Sequence, residues 1–211
     1  MGLAPLLEVR RLGRTRYEDA HALQEALVGA RVDGHVSDTL LFTEHEPVVT
    51  LGRGSPPGDA AGSGLRVVEI ERGGEATWHG PGQIVGYPIR LLPEGQRDLH
   101  AYLRDLEEVV IRALGDFGVV GGRVEGKTGV WVQGRKLCSI GVAVRRWVTW
   151  HGFALNVHAD LSDFRRFKPC GLDPALMANL DEFADVPAGL AAVEQHLEAR
   201  IREVFGYLTP A

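Results

Sequence analysis

The 211-residue chain reads as an α+β (mixed α/β) single domain spanning residues 1–211. Three segments carry apolar residues at helical spacing, eight shorter ones have the period or composition of strands, and no internal repeat or long linker divides them. With 45% hydrophobic and 24% charged residues, the chain has enough apolar material to bury one full core.

In chain order, a strand is predicted over residues 6–12, followed by a helix over 17–32 with Tyr17, Ala20, Leu23, Leu27 and Ala30 on one face. Strands follow at 39–43 and 48–51. RGSPPGDAAGSG, residues 53–64, is a loop by composition, and a mobile loop near a site is the expectation. Strands are predicted at 66–70 and 84–90. The second helix has the clearest stripe: Leu99, Tyr102, Leu103, Leu106, Val110, Ala113, Leu114 and Phe117, with Asp98 as N-cap and Gly118 as the stop. Strands at 129–133, 136–145 and 147–157 lead to a third helix over 187–205, opened by Pro187 and closed by Gly206.

A net charge of -5 argues against a general nucleic-acid binder, which needs a basic surface to neutralise phosphates. No apolar run approaches ~18 residues and the first residues lack a secretory h-region, so a cytoplasmic protein without a membrane partner is expected. A reducing compartment makes a disulfide between Cys138 and Cys170 an unexpected pairing. His79, His151, Cys138 and Cys170 show no paired ligand spacing, so no metal is expected. His21, His35, His100 and His196 read as surface or helix residues.

FRRFKPCGL places Cys170 in a turn rather than in an apolar stripe, beside Arg165, Arg166 and Lys168. A cysteine acts as a nucleophile only as the thiolate, which a nearby cation or base favours. Cys170 is therefore a candidate nucleophile, with a passive turn cysteine as the alternative. Lysine is scarce: Lys127, Lys136 and Lys168 are the only ones among 23 basic residues. By alternation Lys136 shares a face with Cys138, Ile140, Val142 and Val144, while Trp147, Thr149, His151, Phe153, Leu155 and Val157 share a face of the next strand. Lys136 is thus aimed into a partly desolvated space if no bulge intervenes, or else reaches back to solvent from the strand end. RGGEATWHGPGQ, residues 72–83, exposes backbone N–H groups and admits a ligand closely, though its glycines fit no dinucleotide fingerprint. KTG at 127–129 has no S-x-x-K partner and is set aside. The basic run of FRRFKPC reads either as a solvated charge run or as a dock for an acidic partner.

Taken together and in order, HEPVVTLGRG, RGGEATWHGPGQIVGYPI, GVWVQGRKLCSIGV, HGFALNV and FKPCGL resemble the signatures of the octanoyltransferases of lipoate biosynthesis, relatives of the lipoate and biotin protein ligases. The resemblance covers residues 40–172. It implies the biotin/lipoate protein ligase catalytic fold, with mixed, mostly antiparallel sheets and flanking helices. It also implies transfer of an octanoyl group from acyl carrier protein to a lysine of lipoyl domains in oxo-acid dehydrogenase or glycine-cleavage subunits, with no cofactor. By that likeness Cys170 is the acyl-thioester nucleophile and Lys136 the residue that stabilises its thiolate and shuttles protons. Arg72, Gly73, Gly74, Glu75, Ala76, Thr77, Trp78 and His79, then Ser139, Ile140, Gly141, Gly152, Phe153 and Ala154, correspond to the substrate-binding set. Trp78 stands where a tyrosine is usual, implying an altered floor to the acyl pocket, and Lys127-Thr128 stands where an arginine-proline pair is usual. A monomer is expected. The competing readings are an ATP-dependent lipoate or biotin ligase, which needs no cysteine, and a non-catalytic acyl-carrier binding module.

Overall fold

The structure, a computed structural model, describes residues 6–60 and 62–208. Two sheets form its frame. The larger has seven strands in the order β1-β2-β6-β10-β9-β8-β7, built from β1 (Leu7–Thr15), β2 (Asp38–His45), β6 (Gln83–Ile89), β7 (Gly122–Val124), β8 (Lys127–Val132), β9 (Arg135–Arg145) and β10 (Val148–Asn156). The smaller has the order β4-β3-β5, from β3 (Val48–Leu51), β4 (Val67–Glu69) and β5 (Thr77–His79). Pairing is antiparallel except for β1 with β2 and β3 with β4. The mixed, mostly antiparallel expectation therefore holds.

Helix α1 (Tyr17–Val32) connects the parallel pair β1 and β2 and covers one face of the large sheet, where Ala20, Leu27 and Val28 meet Val85, Tyr87 and Ile89. Helices α2 (Leu99–Gly115) and α3 (Leu190–Phe205) cover the other face. Asp98 caps α2 as predicted, its carboxylate accepting from the amides of His100 (2.8 Å) and Ala101 (3.1 Å). Gly206, with φ of 73°, ends α3 in the left-handed conformation that glycine tolerates best. The third helix begins three residues later than predicted, with Gly189 as its N-cap, because Pro187 precedes the helix instead of opening it.

The predicted faces of the last two strands need two corrections. Between β8 and β9, Trp131 pairs with Lys136 while Val130 pairs with Cys138, so Leu137 is an extra residue on β9. Leu137 and Cys138 are both fully buried in the helix-side core, and the simple alternation from Lys136 to Cys138 is interrupted. On β10, Phe153 and Leu155 keep the predicted face. His151 leaves it: with φ of 54° its ring stacks on Trp150 (4.4 Å) and lies 5.7 Å from His21 of α1. Trp147 precedes the strand in a turn and is exposed.

Candidate active site

Where the small sheet and the 72–74 loop meet the large sheet, a cleft opens with an empty volume of about 450 Å³, its mouth included. Tyr17 of α1, Thr77 and His79 of β5, and Val85 and Tyr87 of β6 form part of the wall. The central strands supply Ser139, Ile140 and Gly141 from β9 and His151, Gly152, Phe153 and Ala154 from β10; Arg72, Gly74 and Cys170 complete it. Gly152 is glycine for a packing reason. A Cβ there would lie 2.2 Å from the carbonyl oxygen of Gly86 on the neighbouring strand.

Arg72 is buried, yet both of its terminal nitrogens are hydrogen-bonded. Nη2 donates to the carbonyl and hydroxyl of Thr50, both at 2.9 Å, and Nη1 donates to the carbonyls of Gly73 (3.1 Å) and Glu75 (2.8 Å). The side chain thus sets the path of the 72–75 loop, which also hangs on β9 through Gly73 N–H to Val142 O (3.0 Å). Burial lowers the Arg72 pKa from its ordinary value, while Cys170, as an anion, acts in the opposite direction. Arg72, not the cations beside Cys170 in sequence, shares the cleft wall with it. Arg165, Arg166 and Lys168 are exposed, and Arg166 is held by Asp163 at 3.1 Å.

The polar chain continues from Thr50 and fixes a histidine tautomer. Gln83 donates through Nε2 to Trp78 O (3.1 Å) and Asn156 Oδ1 (2.8 Å), leaving its Oε1 to accept from His79 Nδ1 at 2.8 Å. His79 Nε2 then accepts from the Thr50 hydroxyl at 3.3 Å. Full burial holds His79 well below the ordinary histidine pKa, so it is a neutral wall group with both nitrogens occupied. His45 behaves similarly behind the wall. Its Nδ1 faces Thr15 O (3.4 Å), its Nε2 accepts from the Tyr87 hydroxyl (2.7 Å), and burial lowers its pKa to about 4.

Cys170 follows Pro169 in a short turn and has left-handed φ and ψ of 51° and 36°, a conformation uncommon outside glycine. Its amide donates to Ala76 O at 2.8 Å, tying the turn to the entrance of β5. The side chain is partly exposed at the cleft. Cys138, by contrast, is fully buried, and burial pushes its thiol up to about 12, which leaves it a packing residue at neutral pH.

Lys136 does not reach back to solvent; it is 4% exposed. Its side chain crosses Gly129, where a Cβ would lie 2.8 Å from Cε and 3.4 Å from Nζ, and its ammonium lies 5.6 Å from the Trp131 ring centre. The same hypothetical Cβ would lie 2.3 Å from Cys138 O, and Gly129 has φ of 126°, so this position accepts no other residue cheaply. The backbone of Lys136 accepts from Ala178 N–H at 3.0 Å and bridges to Met177, in the segment that continues from the Cys170 turn. Lys136 itself is not part of the cleft wall.

Of the predicted substrate-binding residues, Arg72, Gly74, Thr77, His79, Ser139, Ile140, Gly141, Gly152, Phe153 and Ala154 line the cleft. Gly73, Glu75, Ala76 and Trp78 do not. Period-two alternation on β5 explains Trp78: Thr77 and His79 face the cleft while Trp78 turns to the opposite side, against Phe164 at 5.4 Å. Trp78 is therefore not the floor of this cleft. Sequence reasoning missed Tyr17, Val85, Tyr87 and His151 as wall residues. Tyr17 and Tyr87 carry hydroxyls unusual on otherwise apolar faces, which was the available signal.

An architecture of this kind, a mixed sheet enclosing a cleft with helices outside, is that of the lipoate and biotin ligases. Among solved structures, the chain is similar to a lipoate-protein ligase A bound with ATP, with a TM-score of 0.79, 19% identity, and coverage of 99% of this chain and 88% of that one. It is also similar to biotin protein ligase from Aquifex aeolicus, with a TM-score of 0.56, 14% identity, and coverage of 97% and 70%. Those likenesses establish the fold. The family model described as the lipoyl protein ligase A/B catalytic domain matches residues 16–202, and the chain belongs to that family. Curated relatives named octanoyltransferase include those of Syntrophotalea carbinolica, 50% identical over 188 residues (89% of each chain), and Rubrobacter xylanophilus, 49% identical over 210 residues (95% of this chain and 94% of that one). That of Geobacter metallireducens is 47% identical over 192 residues, 91% of this chain and 90% of that one. With these relatives, the chain is an enzyme, an acyltransferase.

Proposed function

We propose that the protein moves an octanoyl group from octanoyl-acyl carrier protein to a lysine of a lipoyl domain, through a thioester on Cys170. The observation that carries this reading is a partly exposed thiol held on a left-handed turn at the lip of a cleft whose walls include Val85, Ile140, Phe153 and Ala154. Apolar walls suit an eight-carbon chain, each buried methylene contributing up to about 0.8 kcal/mol. The Cys170 thiolate attacks the carrier's thioester carbonyl, the carrier thiol leaves, and the lysine amine then attacks the new thioester and returns the cysteine. The first exchange conserves a thioester and the second forms an amide, so neither step needs ATP. Lys136 serves as proton acceptor, a role favoured by its burial and its nearness to the segment after the Cys170 turn. Exposed Arg165 and Lys168 offer an acidic carrier a docking surface, and lipoyl domains of oxo-acid dehydrogenase and glycine-cleavage subunits are the acceptors.

Intact-protein mass spectrometry after incubation with octanoyl-acyl carrier protein tests the intermediate. One added octanoyl group, absent in Cys170→Ser and discharged by a lipoyl domain without ATP, is the expected result. A strict requirement for ATP would favour the ligase chemistry carried by other members of the fold.

A further inference from the structure

Beside the cleft, three side chains that the transfer mechanism does not use converge from distant parts of the chain. His21 of α1, Glu71 just before the 72–74 loop, and His151 of β10 place one donor atom each within 4.8 Å of one another. His21 Nε2 is 3.2 Å from Glu71 Oε2, and His151 Nε2 is 3.8 Å from that same oxygen. We infer that His21, Glu71 and His151 form a binding site for a first-row divalent transition metal of the zinc type.

Two imidazoles and a carboxylate are a donor set suited to such an ion, and with bonds of ~2.0–2.1 Å, tetrahedral donors sit about 3.4 Å apart. The two separations from Glu71, 3.2 and 3.8 Å, bracket that value, and all three donors lie within 4.8 Å of one another, so side-chain rotation brings them into ligand geometry. The independent observation is His151 itself. Its side chain is 2% exposed and Nε2 has no hydrogen-bond partner among the described residues, although it points toward the Glu71 carboxylate. A buried ring nitrogen without a partner is costly, and a hydrogen bond between His21 and Glu71 alone leaves it unexplained. The left-handed φ of His151 is what turns the ring out of the strand's regular face and toward this group, with its amide held by Gln24 Oε1 at 2.9 Å. Burial lowers the His151 pKa to about 3, so the ring is unprotonated and its lone pair is available at neutral pH.

The surroundings fit as well. Glu71 is half-exposed, which gives an ion a path in and leaves a coordination position open to water. Glu25 Oε2 lies 3.9 Å from His21 Nδ1, too far for a hydrogen bond but on the side of the ring where a carboxylate supports a metal-bound histidine. The neighbouring cation, Arg72, directs its nitrogens to Thr50, Gly73 and Glu75. Sequence spacing gives no hint of this site, because the fold alone joins residues 21, 71 and 151. The inference stands independently of the proposed acyl transfer.

The test uses the full chain without a histidine tag, freed of metal with a chelator and titrated calorimetrically with Zn²⁺. One equivalent bound at micromolar concentration or tighter is expected, and Co²⁺ should give the visible d–d absorption of a four- or five-coordinate site. His21→Ala and Glu71→Gln, both at partly exposed positions, should each weaken binding by more than the ~10–100-fold that loss of a supporting group brings. His35→Ala should leave it unchanged. Failure to bind one equivalent of Zn²⁺, or binding that survives both substitutions, overturns the site. A folded melting transition in each variant separates loss of the ligand from loss of the fold.

Discussion

The two faces of strand β10 solve different problems. Leu155, together with Val157 just beyond the strand, joins α2 and α3 in an apolar cluster of Leu106, Val110, Leu197 and Ile201. A few residues earlier, His151 and Gly152 border a cleft that also buries Arg72, His79 and the Tyr17 hydroxyl. On the helix side, shape and apolarity suffice, and hydrophobic residues of similar volume are interchangeable to a first approximation. On the cleft side, each buried polar atom needs a partner, and the backbone needs glycines and left-handed residues to admit one. The first face should therefore govern stability and the second chemistry.

The sharpest separation comes from Cys170→Ser. Octanoyl transfer should fall on the order of 10³-fold or more with the melting temperature unmoved, because the partly exposed thiol lines the cleft and serine is close to it in size. Retained transfer would remove Cys170 from the chemistry. Leu106→Ala makes the opposite cut. It should cost about 2–5 kcal/mol in denaturant unfolding while kcat/KM per folded molecule stays constant.

Acid should weaken the molecule from the cleft side. His45 and His151 have folded pKa values lowered to about 4 and about 3, and His79 lies well below its ordinary value, so the unfolded chain binds more protons below pH ~6.5. Their contribution is fully present above that pH and is lost as pH falls through the folded values. His45 alone accounts for roughly 3 kcal/mol between pH 6.5 and 4. Unfolding free energies that stay flat over this window, or an equally steep decline in His45→Gln, would contradict the assignment.

Lys136→Arg distinguishes charge from proton transfer in the proposed role of Lys136. Arginine remains a cation but cannot take up a proton from thiol or amine, so single-turnover transfer should slow by about 10²-fold. Near wild-type rates in both acylation and amide formation would show that Lys136 is not the base. The smallest effect is expected outside both faces: Arg165→Glu with Arg166→Glu should raise KM for acyl carrier protein a few-fold, in a salt-dependent manner, with kcat preserved. A salt-independent KM would leave both as ordinary surface charges.

The same contrast decides what could be read before the structure. The stripe of α2, its Asp98 cap, and the alternation of Phe153 and Leu155 were legible because apolar burial imposes a period on sequence. Strands β5 and β7 were not, being three residues each amid glycines. The motif residues around Arg72 and His79 marked the cleft, but which of them face it depends on the direction of a strand too short to show a period. The bulge at Leu137 and the left-handed φ of His151 are backbone choices that tertiary pairing dictates. No local pattern announces them.

The large sheet is open, with β1 at one end and β7 at the other, and an open sheet invites another chain to add a strand. At β1 the ladder slips between Arg11 and Arg14, around Gly13 with φ of 67°. Arg10, Arg11 and Arg14 line this border, and Arg11 is drawn to Glu194 (3.3 Å) and Glu198 (2.6 Å) of α3. Strand β7 is only three residues long, its register slips between Gly122 and Val124, and Arg123 is tied to Glu107 and Glu108. A newly made chain therefore presents two charged and irregular borders to its neighbours, the one at β7 only three residues long, and stacking of copies into fibrils by edge pairing is discouraged at both.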